Sequence, residues 1–567
     1  MKKIVIIGGV AGGASAAARI RRLDEQADIV MLERSGYVSY ANCGLPYYIG
    51  GEIQNQKLLT LQTPESFKNR FHIDVRVRHE AVEIDRKGHT VKVKNLETGE
   101  ISELPYDKLI LSPGARPSRP KLPGIEDAAV LTLRTVEDTF GIREFVERRS
   151  PKRAVVVGGG YIGLEMAENL TKLGVQVTLL EMADHVLAPL DYDMACEVHA
   201  YLRSKEVALM RRTIVTGFVR EGEQISVNVQ DGKPLAADLV ILATGVIPET
   251  SLAKQAGLEL GMRDAIVVND HMQTSDPDIY AVGDAVQVRH FVTGRAVLLP
   301  LAGPANKQGR IAADNICGRD SIFEGSQGSS IVKIFDMTVA TTGLNETAAK
   351  SMGIPCDKVV LYSASHATYY PGATNMSIKV VFSPDDGKIL GAQIVGFHGV
   401  DKRIDVLATA IRAGMTGADL AELELSYAPP FSSAKDPVNM AGFVIENVRE
   451  GLVRQVHWDA LLKLPRDGRV MLLDVRNDLE YERGHIDWAQ HIPLDVLRDH
   501  LDELPEDKPI YVHCHSGLRS YLACRILSQN GRECYNLSGG YRFYETVTRD
   551  LAFDETPKHP CGLPIQA

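Results

Sequence analysis

Two cysteines stand where sulfur chemistry is possible. Cys43 lies in Ser39-Tyr40-Ala41-Asn42-Cys43-Gly44-Leu45-Pro46-Tyr47, with no second cysteine nearby. One cysteine cannot close an internal redox disulfide, so it must cycle as a mixed disulfide with a small thiol or as a sulfenic acid. Such a thiol needs access and a depressed pKa, which nearby cations and glycine-rich backbone can supply. A lone cysteine is more often a small buried hydrophobe, but the Gly/Pro/Asn loop after a βαβ strand favours chemistry. Cys514 lies in Ile510-Tyr511-Val512-His513-Cys514-His515-Ser516-Gly517-Leu518-Arg519-Ser520. Here a strand delivers the cysteine into a tight loop that opens a helix over 520–527. Loop amides and the helix dipole then converge on sulfur, favouring a thiolate or persulfide. Only His515, Ser516, Gly517 and Leu518 separate Cys514 from Arg519, one residue fewer than in a phosphatase loop, which suits sulfur over phosphate.

The other cysteines, Cys196, Cys317, Cys356, Cys524 and Cys534, fall in helical or strand contexts and read as inert, and Cys561, on a Pro/Gly-rich tail, has no surrounding motif. The 8 cysteines contain no C-x-x-C pair. That excludes a disulfide framework, gives no metal site, and suits a reducing compartment.

Two strand–glycine turn–helix units supply candidate anion sites. Gly158-Gly159-Gly160-Tyr161-Ile162-Gly163 fits G-x-G-x-x-G after the strand 154–157, and Glu181 ends the next strand. Glycines let the backbone approach a pyrophosphate at a helix N-terminus, and an acid at that position accepts hydrogen bonds from a ribose. The acid would repel a 2′-phosphate, so NADH is expected over NADPH. The first turn, Gly8-Gly9-Val10-Ala11-Gly12-Gly13, has Val10 in place of the middle glycine, yet Glu33 still ends the following strand. Two such units imply two dinucleotides, or one site duplicated and decayed.

The rest of the chain must position these groups. Its 567 residues are too many for one core. Hydrophobic content of 44% and charged content of 24% describe an ordinary globular protein, and the net charge of −10 disfavours nucleic acid or anionic membrane as partners. Lys2-Lys3, the apolar run 4–7 and Ala16-Ala17-Ala18 mimic a signal peptide, but the run is too short and reads as a buried strand. No run is long enough to span a bilayer, and a cytoplasmic location is expected.

Apolar β-branched runs alternating with Ala/Leu-rich helices predict parallel α/β sheets. The connectors 111–117 and 243–248 read as crossings between two nucleotide domains. From about 330 to 445 the pattern changes to an α+β unit, and a last unit begins with the strand 470–475.

The first glycine turn, Glu33, Ala243-Thr244-Gly245 and Ile279-Tyr280-Ala281-Val282-Gly283-Asp284 together resemble the two-dinucleotide flavoprotein disulfide reductases over residues 1–447. Ser39 to Pro46 resembles their single-cysteine coenzyme A-disulfide and persulfide reductase group. Residues 457–550 resemble single-domain rhodaneses, including Leu472-Leu473-Asp474-Val475-Arg476 and Ser538-Gly539-Gly540. The resemblance implies two Rossmann-like domains, FAD-binding (1–110 and 246–325) and NAD(P)H-binding (111–245). A dimerisation domain (326–447), a linker (448–456), the rhodanese domain (457–550) and a tail (551–567) follow.

The cofactor contacts so implied are Gly8, Gly9, Val10, Ala11, Gly12, Gly13, Glu33, Arg34, Asn42, Gly114, Gly158, Gly160, Tyr161, Ile162, Gly163, Glu181, Gly245, Gly283, Asp284, Pro300, Leu301 and Ala302. Coenzyme A contacts fall on Ser15, Arg19, Arg22, Ser39, Asn42 and Lys435, with Arg19 and Arg22 sharing a helix face, while Arg519 serves the rhodanese substrate. Where the family has a lysine near the end of the helix after Pro64, this chain has Arg70-Phe71. In the resembled group one tyrosine from His366–Gly372 and one from Ser426–Pro430 reach the partner's active cysteine in a homodimer, here Tyr369 and Tyr427. The expected activity is FAD-dependent NAD(P)H reduction of coenzyme A disulfide, coenzyme A persulfide or polysulfide through Cys43, with Cys514 carrying sulfane sulfur. The alternatives are an NADH oxidase or peroxidase using a sulfenic acid, whose glycine turn commonly holds histidine where this chain has Ala11, and a sulfur-relay or redox-sensing module.

Overall fold

The computed structural model describes residues 1–553, and Cys561 lies outside them. The chain divides into two compact units, Met1–Ala183 with Glu206–Gly328, and Asp184–Lys205 with the residues from Ser329 onwards.

The first unit holds two five-stranded parallel sheets. One runs Ile279–Ala281, Lys108–Leu111, Lys3–Ile7, Asp28–Glu33, Asp74–Val77. The other runs Ala208–Met210, Gln176–Leu180, Arg153–Val157, Leu239–Leu242, Val130–Thr132. Strands such as Arg153–Val157 are nearly continuous apolar runs because helices cover both faces of a parallel sheet. In each sheet the strand feeding a glycine turn is central, with parallel neighbours on either side. The turn therefore opens into a crevice at the carboxyl edge, where open α/β sheets bind ligands. The expected crossings pair as the antiparallel strands Ala115–Pro117 and Val246–Pro248.

The second unit contains an antiparallel sheet, ordered Ser330–Ile334, Met337–Gly343, Ile389–Gly396, Asn375–Phe382, Asp357–Ala364. It also contains a parallel sheet, Gln455–Val456, Cys534–Leu537, Ile510–His513, Met471–Asp474, Gln490–His491, whose central strand leads into Cys514.

One segment departs from the expected organisation. Residues 184–205, expected inside the NAD(P)H-binding range 111–245, pack in the second unit. Their helix, Tyr192–Ser204, buries Asp193, Cys196 and His199 there. Buried Lys379 draws Asp193 at 2.9 Å, and Asp550 faces His199 at 3.2 Å, so buried charge pairs outweigh continuity along the chain. Among the described residues no helix is long and apolar enough to cross a membrane.

Candidate active site

Cys43 sits on a single 3-10 turn, Asn42–Gly44, capped by the short helix Leu45–Ile49. Leu45, Pro46 and Ile49 are buried and anchor the turn while Cys43 itself is exposed. The approach to the turn is tied to the first glycine turn: the Ser39 N–H donates to the Gly9 carbonyl at 2.8 Å, and the Leu61 N–H donates to the Ser39 carbonyl at 2.9 Å. Ser39 adopts φ 48°, a left-handed conformation uncommon for a residue with a Cβ. That strain is held by those two bonds.

Cys43 opens into a cavity of about 530 Å³, and is the one cysteine lining it among the described residues. The same walls include Gly8, Val10, Ala11, Gly12, Ser15, Glu33, Arg34, Ser39, Asn42, Gly114, Gly283, Asp284, Pro300 and Ala302. Gly9 and Gly13 lie beneath the surface of the turn. A Cβ on Gly13 would meet the Gly8 carbonyl at 1.9 Å, and one on Gly8 (φ 98°) would meet the Ser112 carbonyl at 2.0 Å. Leu301 caps the helix Ala302–Ile316 that packs on the helix Ala11–Leu23.

Arg134, unnoticed in the sequence, organises the cavity wall. It pairs with Asp284 at 2.7 Å, and Asn42 donates its amide to the Arg134 carbonyl at 3.0 Å while accepting from the guanidinium at 3.3 Å. Arg134 lies just before the Thr135-x-x-Asp138 capping box, a signal for a helix start but not for a partner 150 residues away. Ser112 and Gln308 were likewise missed; they accept from Gly13 N–H at 3.0 Å and from Gly283 N–H at 2.7 Å.

The electrostatics of Cys43 reverse the expectation of a depressed pKa. Although the residue is partly open to solvent, desolvation by the surrounding protein pushes the thiol up, the carboxylates of Glu165 and Asp284 push it further, and Arg134 opposes them without prevailing. Glu165, on the helix Tyr161–Lys172, accepts from the Tyr47 hydroxyl at 3.1 Å, and burial raises its own pKa to about 7.

The two acids that end the strands after the glycine turns behave alike. Glu33 accepts from Gly9 N–H at 2.9 Å and Ser35 N–H at 3.0 Å, and Glu181 from Gly159 N–H at 2.6 Å and Ala183 N–H at 2.8 Å. A Cβ on Gly160 would meet nothing within 4 Å, leaving the open approach a pyrophosphate requires, with Tyr161 and Ile162 opening the helix behind it. Gly163 and Gly158 meet as Gly13 and Gly8 do, the Cβ contact again being 1.9 Å. Gly245 (φ 92°) also faces open space. The packed turn, Glu33, Asp284 and the cavity beside Cys43 fit FAD, and the Gly158–Glu181 turn fits a nicotinamide dinucleotide.

Of the expected coenzyme A contacts, Ser15 donates to Asn306 at 2.5 Å, Arg19 is engaged by Asp314 at 2.7 Å, and Arg22 and Lys435 are exposed. In the second unit the Tyr369 and Tyr427 hydroxyls meet at 2.8 Å, although the residues are 74% and 47% exposed.

Cys514 is buried, with 1% exposed. The Gly517 N–H donates to its sulfur at 3.2 Å, and the Ser520 hydroxyl lies 3.3 Å away. The Ser538-Gly539-Gly540 motif props the loop from behind. Tyr541 N–H donates to the Cys514 carbonyl at 2.7 Å, and Arg542 N–H to that of His515 at 3.0 Å. A Cβ on Gly540 (φ 63°) would sit 2.7–2.8 Å from Ser516 N, Cys514 O and Gly517 N. Arg519 forms a bidentate pair with Glu480 at 2.6 and 2.7 Å, which holds that carboxyl down at about 2.

Cys196, His199 and Asp550 also cluster in the second unit. Val186 N–H donates to His199 Nε2 at 3.2 Å, His199 Nδ1 faces Asp550 at 3.2 Å, and Arg203 donates to Asp550 at 2.8 Å. These bonds tie the trio together within the second unit.

Comparison with known proteins agrees with this geometry. Residues 2–309 match the pyridine nucleotide-disulphide oxidoreductase family model, 329–437 its dimerisation domain, and 457–545 the rhodanese-like domain. A coenzyme A disulfide reductase of Staphylococcus aureus is 37% identical over 444 residues, covering 78% of this chain and 99% of the relative. The crystal structure of reduced Bacillus anthracis CoADR-RHD superposes with a TM-score of 0.95 at 50% identity, covering 97% of this chain and 98% of that one. A NAD-dependent persulfide reductase from A. fulgidus gives 0.90 at 42% identity, with 95% and 99% covered.

Proposed function

The chain belongs to the pyridine nucleotide-disulphide oxidoreductase family and ends in a rhodanese domain, and on that premise we propose that it reduces coenzyme A disulfide and coenzyme A persulfide with NADH. The observation that carries this reading is the solitary Cys43 thiol, exposed in the cavity that fits FAD, on a loop whose Ser39 N–H is hydrogen-bonded to the first glycine turn. Bound FAD would supply the relay of two electrons from reduced nicotinamide to sulfur.

Cys43 thiolate attacks one sulfur of coenzyme A disulfide, forming Cys43–S–S–CoA and expelling coenzyme A thiolate. The Tyr369–Tyr427 pair, acting on the partner subunit of a homodimer, donates a proton to the departing thiolate. Two electrons then cleave the mixed disulfide, returning Cys43 thiolate and a second coenzyme A, so one NADH and one proton yield two thiols. With coenzyme A persulfide the first departing group is hydrosulfide, and the balance is one coenzyme A and one hydrogen sulfide. Lys435 and Arg22 are open to meet coenzyme A phosphates, and Glu181 favours NADH by repelling a 2′-phosphate. Cys514, facing the Gly517 amide and the Ser520 hydroxyl, carries sulfane sulfur as a persulfide and passes it to coenzyme A, which makes the persulfide substrate for Cys43.

The test is anaerobic NADH oxidation with each substrate, together with the mass of the isolated enzyme under denaturing conditions. The reading expects substrate-dependent turnover and an adduct of coenzyme A mass at Cys43. Full turnover by Cys43→Ser would sink it, and oxygen-dependent NADH consumption exceeding the disulfide rate would favour the sulfenic acid chemistry of an oxidase.

A further inference from the structure

Tyr369 and Tyr427 present a puzzle of position. Their hydroxyls are hydrogen-bonded to each other, yet both side chains stand largely in the open, on loops 58 residues apart in sequence. Packing around the rings cannot hold them, so the order must come from the backbones beneath. One loop joins strands Asp357–Ala364 and Asn375–Phe382; the other runs from helix Gly417–Glu422 to helix Pro437–Arg449.

A single guanidinium lies under both. Arg403, on the helix Val400–Ala413, is 1% exposed. Its Nη2 donates to the Ser365 carbonyl at 2.9 Å, at the foot of the Tyr369 loop. The same nitrogen lies 3.0 Å from Asp436 Oδ2, 3.1 Å from Ser432 Oγ and 3.4 Å from the Phe431 carbonyl, all in the Tyr427 loop, so its two hydrogens are shared among these acceptors. Ser432 passes its own hydrogen to Asp436 at 2.6 Å, and the Ala367 N–H donates to the Ser432 carbonyl at 2.9 Å, closing the two loops directly. Asp436 caps the following helix through the Val438 N–H at 3.0 Å and immediately follows Lys435. Gly399 makes room, since a Cβ there would lie 2.3 Å from Arg403 Nη1.

A buried charge is weak evidence for stability by itself, because desolvation offsets most of its attraction. Its value is geometric: a planar fork with fixed donor directions can register two backbones against each other, whereas an ammonium cannot. We propose that Arg403 is a positioning residue for the reductase reaction, setting the Tyr369 and Tyr427 hydroxyls at bonding distance by clamping both loops from below. This rests on the proposed role of the tyrosines.

The experiment is a mutant cycle in the full-length holoenzyme. Arg403→Lys and Tyr369→Phe/Tyr427→Phe are made separately and together, with Ser432→Ala as a milder loss of one arm of the clamp should Arg403→Lys fail to accumulate FAD-loaded protein. Steady-state coenzyme A disulfide reduction is measured beside rapid-mixing bleaching of the flavin by NADH. The expected result is a roughly tenfold fall in kcat for Arg403→Lys with bleaching unchanged, and less than a twofold further fall when it is added to the tyrosine pair. A structural role alone would cut the tyrosine variant by the same factor again, which would overturn the proposal. If the tyrosine variant loses turnover and Arg403→Lys and Ser432→Ala do not, the clamp fails while the tyrosine role stands. If the tyrosine variant keeps full turnover, the tyrosine role fails and the clamp fails with it.

Discussion

The two thiols to which we assign chemistry are held in opposite ways. Cys43 is exposed on a one-turn 3-10 segment, its sulfur open to the cavity and crowded by the carboxylates of Glu165 and Asp284, with Arg134 as the opposing cation. Cys514 is sealed in a loop whose Gly517 N–H points at the sulfur and whose backbone is bonded to Tyr541 and Arg542 behind it. The contrast follows from what each sulfur must do. A thiol that exchanges with a bulky cofactor thiol needs room, and here burial and then the nearby carboxylates shift its pKa upward. A sulfur that stores a persulfide needs donors and shelter more than space.

The largest expected effect separates the sites outright. Cys43→Ser should lower NADH-dependent coenzyme A disulfide reduction by about a thousandfold or more while Cys514 still loads and releases sulfane sulfur. Cys514→Ser should show the reverse. Loss of both activities from either variant would break the separation.

Next comes a pH effect confined to the Cys514 side. His513 is fully buried, and burial holds its pKa down at about 4 against an ordinary 6.5. The unfolded chain therefore binds a proton between pH 6.5 and 4 that the folded imidazole refuses, and stability falls as pH drops through that window. The loss is up to about 3 kcal/mol by pH 4. Chemical denaturation across this range should show a slope for the rhodanese transition that His513→Leu flattens.

Backbone tolerance should divide the sites too. Gly540→Ala places a Cβ against three backbone atoms of the Cys514 loop, and sulfur transfer should fall at least about tenfold. Gly44→Ala, beside Cys43, would meet side-chain carbons at 3.2–3.5 Å that can shift. Disulfide reduction should then stay within about threefold. Equal losses at both positions would mean the Cys43 turn is as tightly cradled as the other loop.

The smallest effect sharpens the electrostatics. Glu165→Gln removes the largest influence on Cys43 after burial, so the pH midpoint for alkylation of Cys43 should move downward. An unchanged midpoint would assign the raised thiol to burial alone.

Much of this was legible locally. The strands Asp28–Glu33 and Lys108–Leu111 extend no more than one residue beyond their apolar runs, since a strand buried on both faces leaves little polar alternation to blur its edges. The glycine turns and both cysteine loops were legible because each is a short segment whose chemistry depends on residue type. The direction of the Cys43 pKa was not, because burial sets it first and the acids that add to it, Glu165 and Asp284, come from far along the chain. Nor was the place of 184–205, whose helix joins the second unit through Asp193, Cys196 and His199 rather than through its neighbours in sequence.

What the sequence determined alone was the inventory: one solitary thiol, one cysteine loop between a strand and a helix, two glycine turns and the acids that end the strands after them. These are set by backbone geometry and residue type within a few positions. Only the tertiary structure decided which charges face Cys43, that Gly540 props Cys514, and that Arg403 lies beneath two tyrosine loops. Contacts across 150 residues leave no local trace, because burial selects a partner by where the folded backbones bring it.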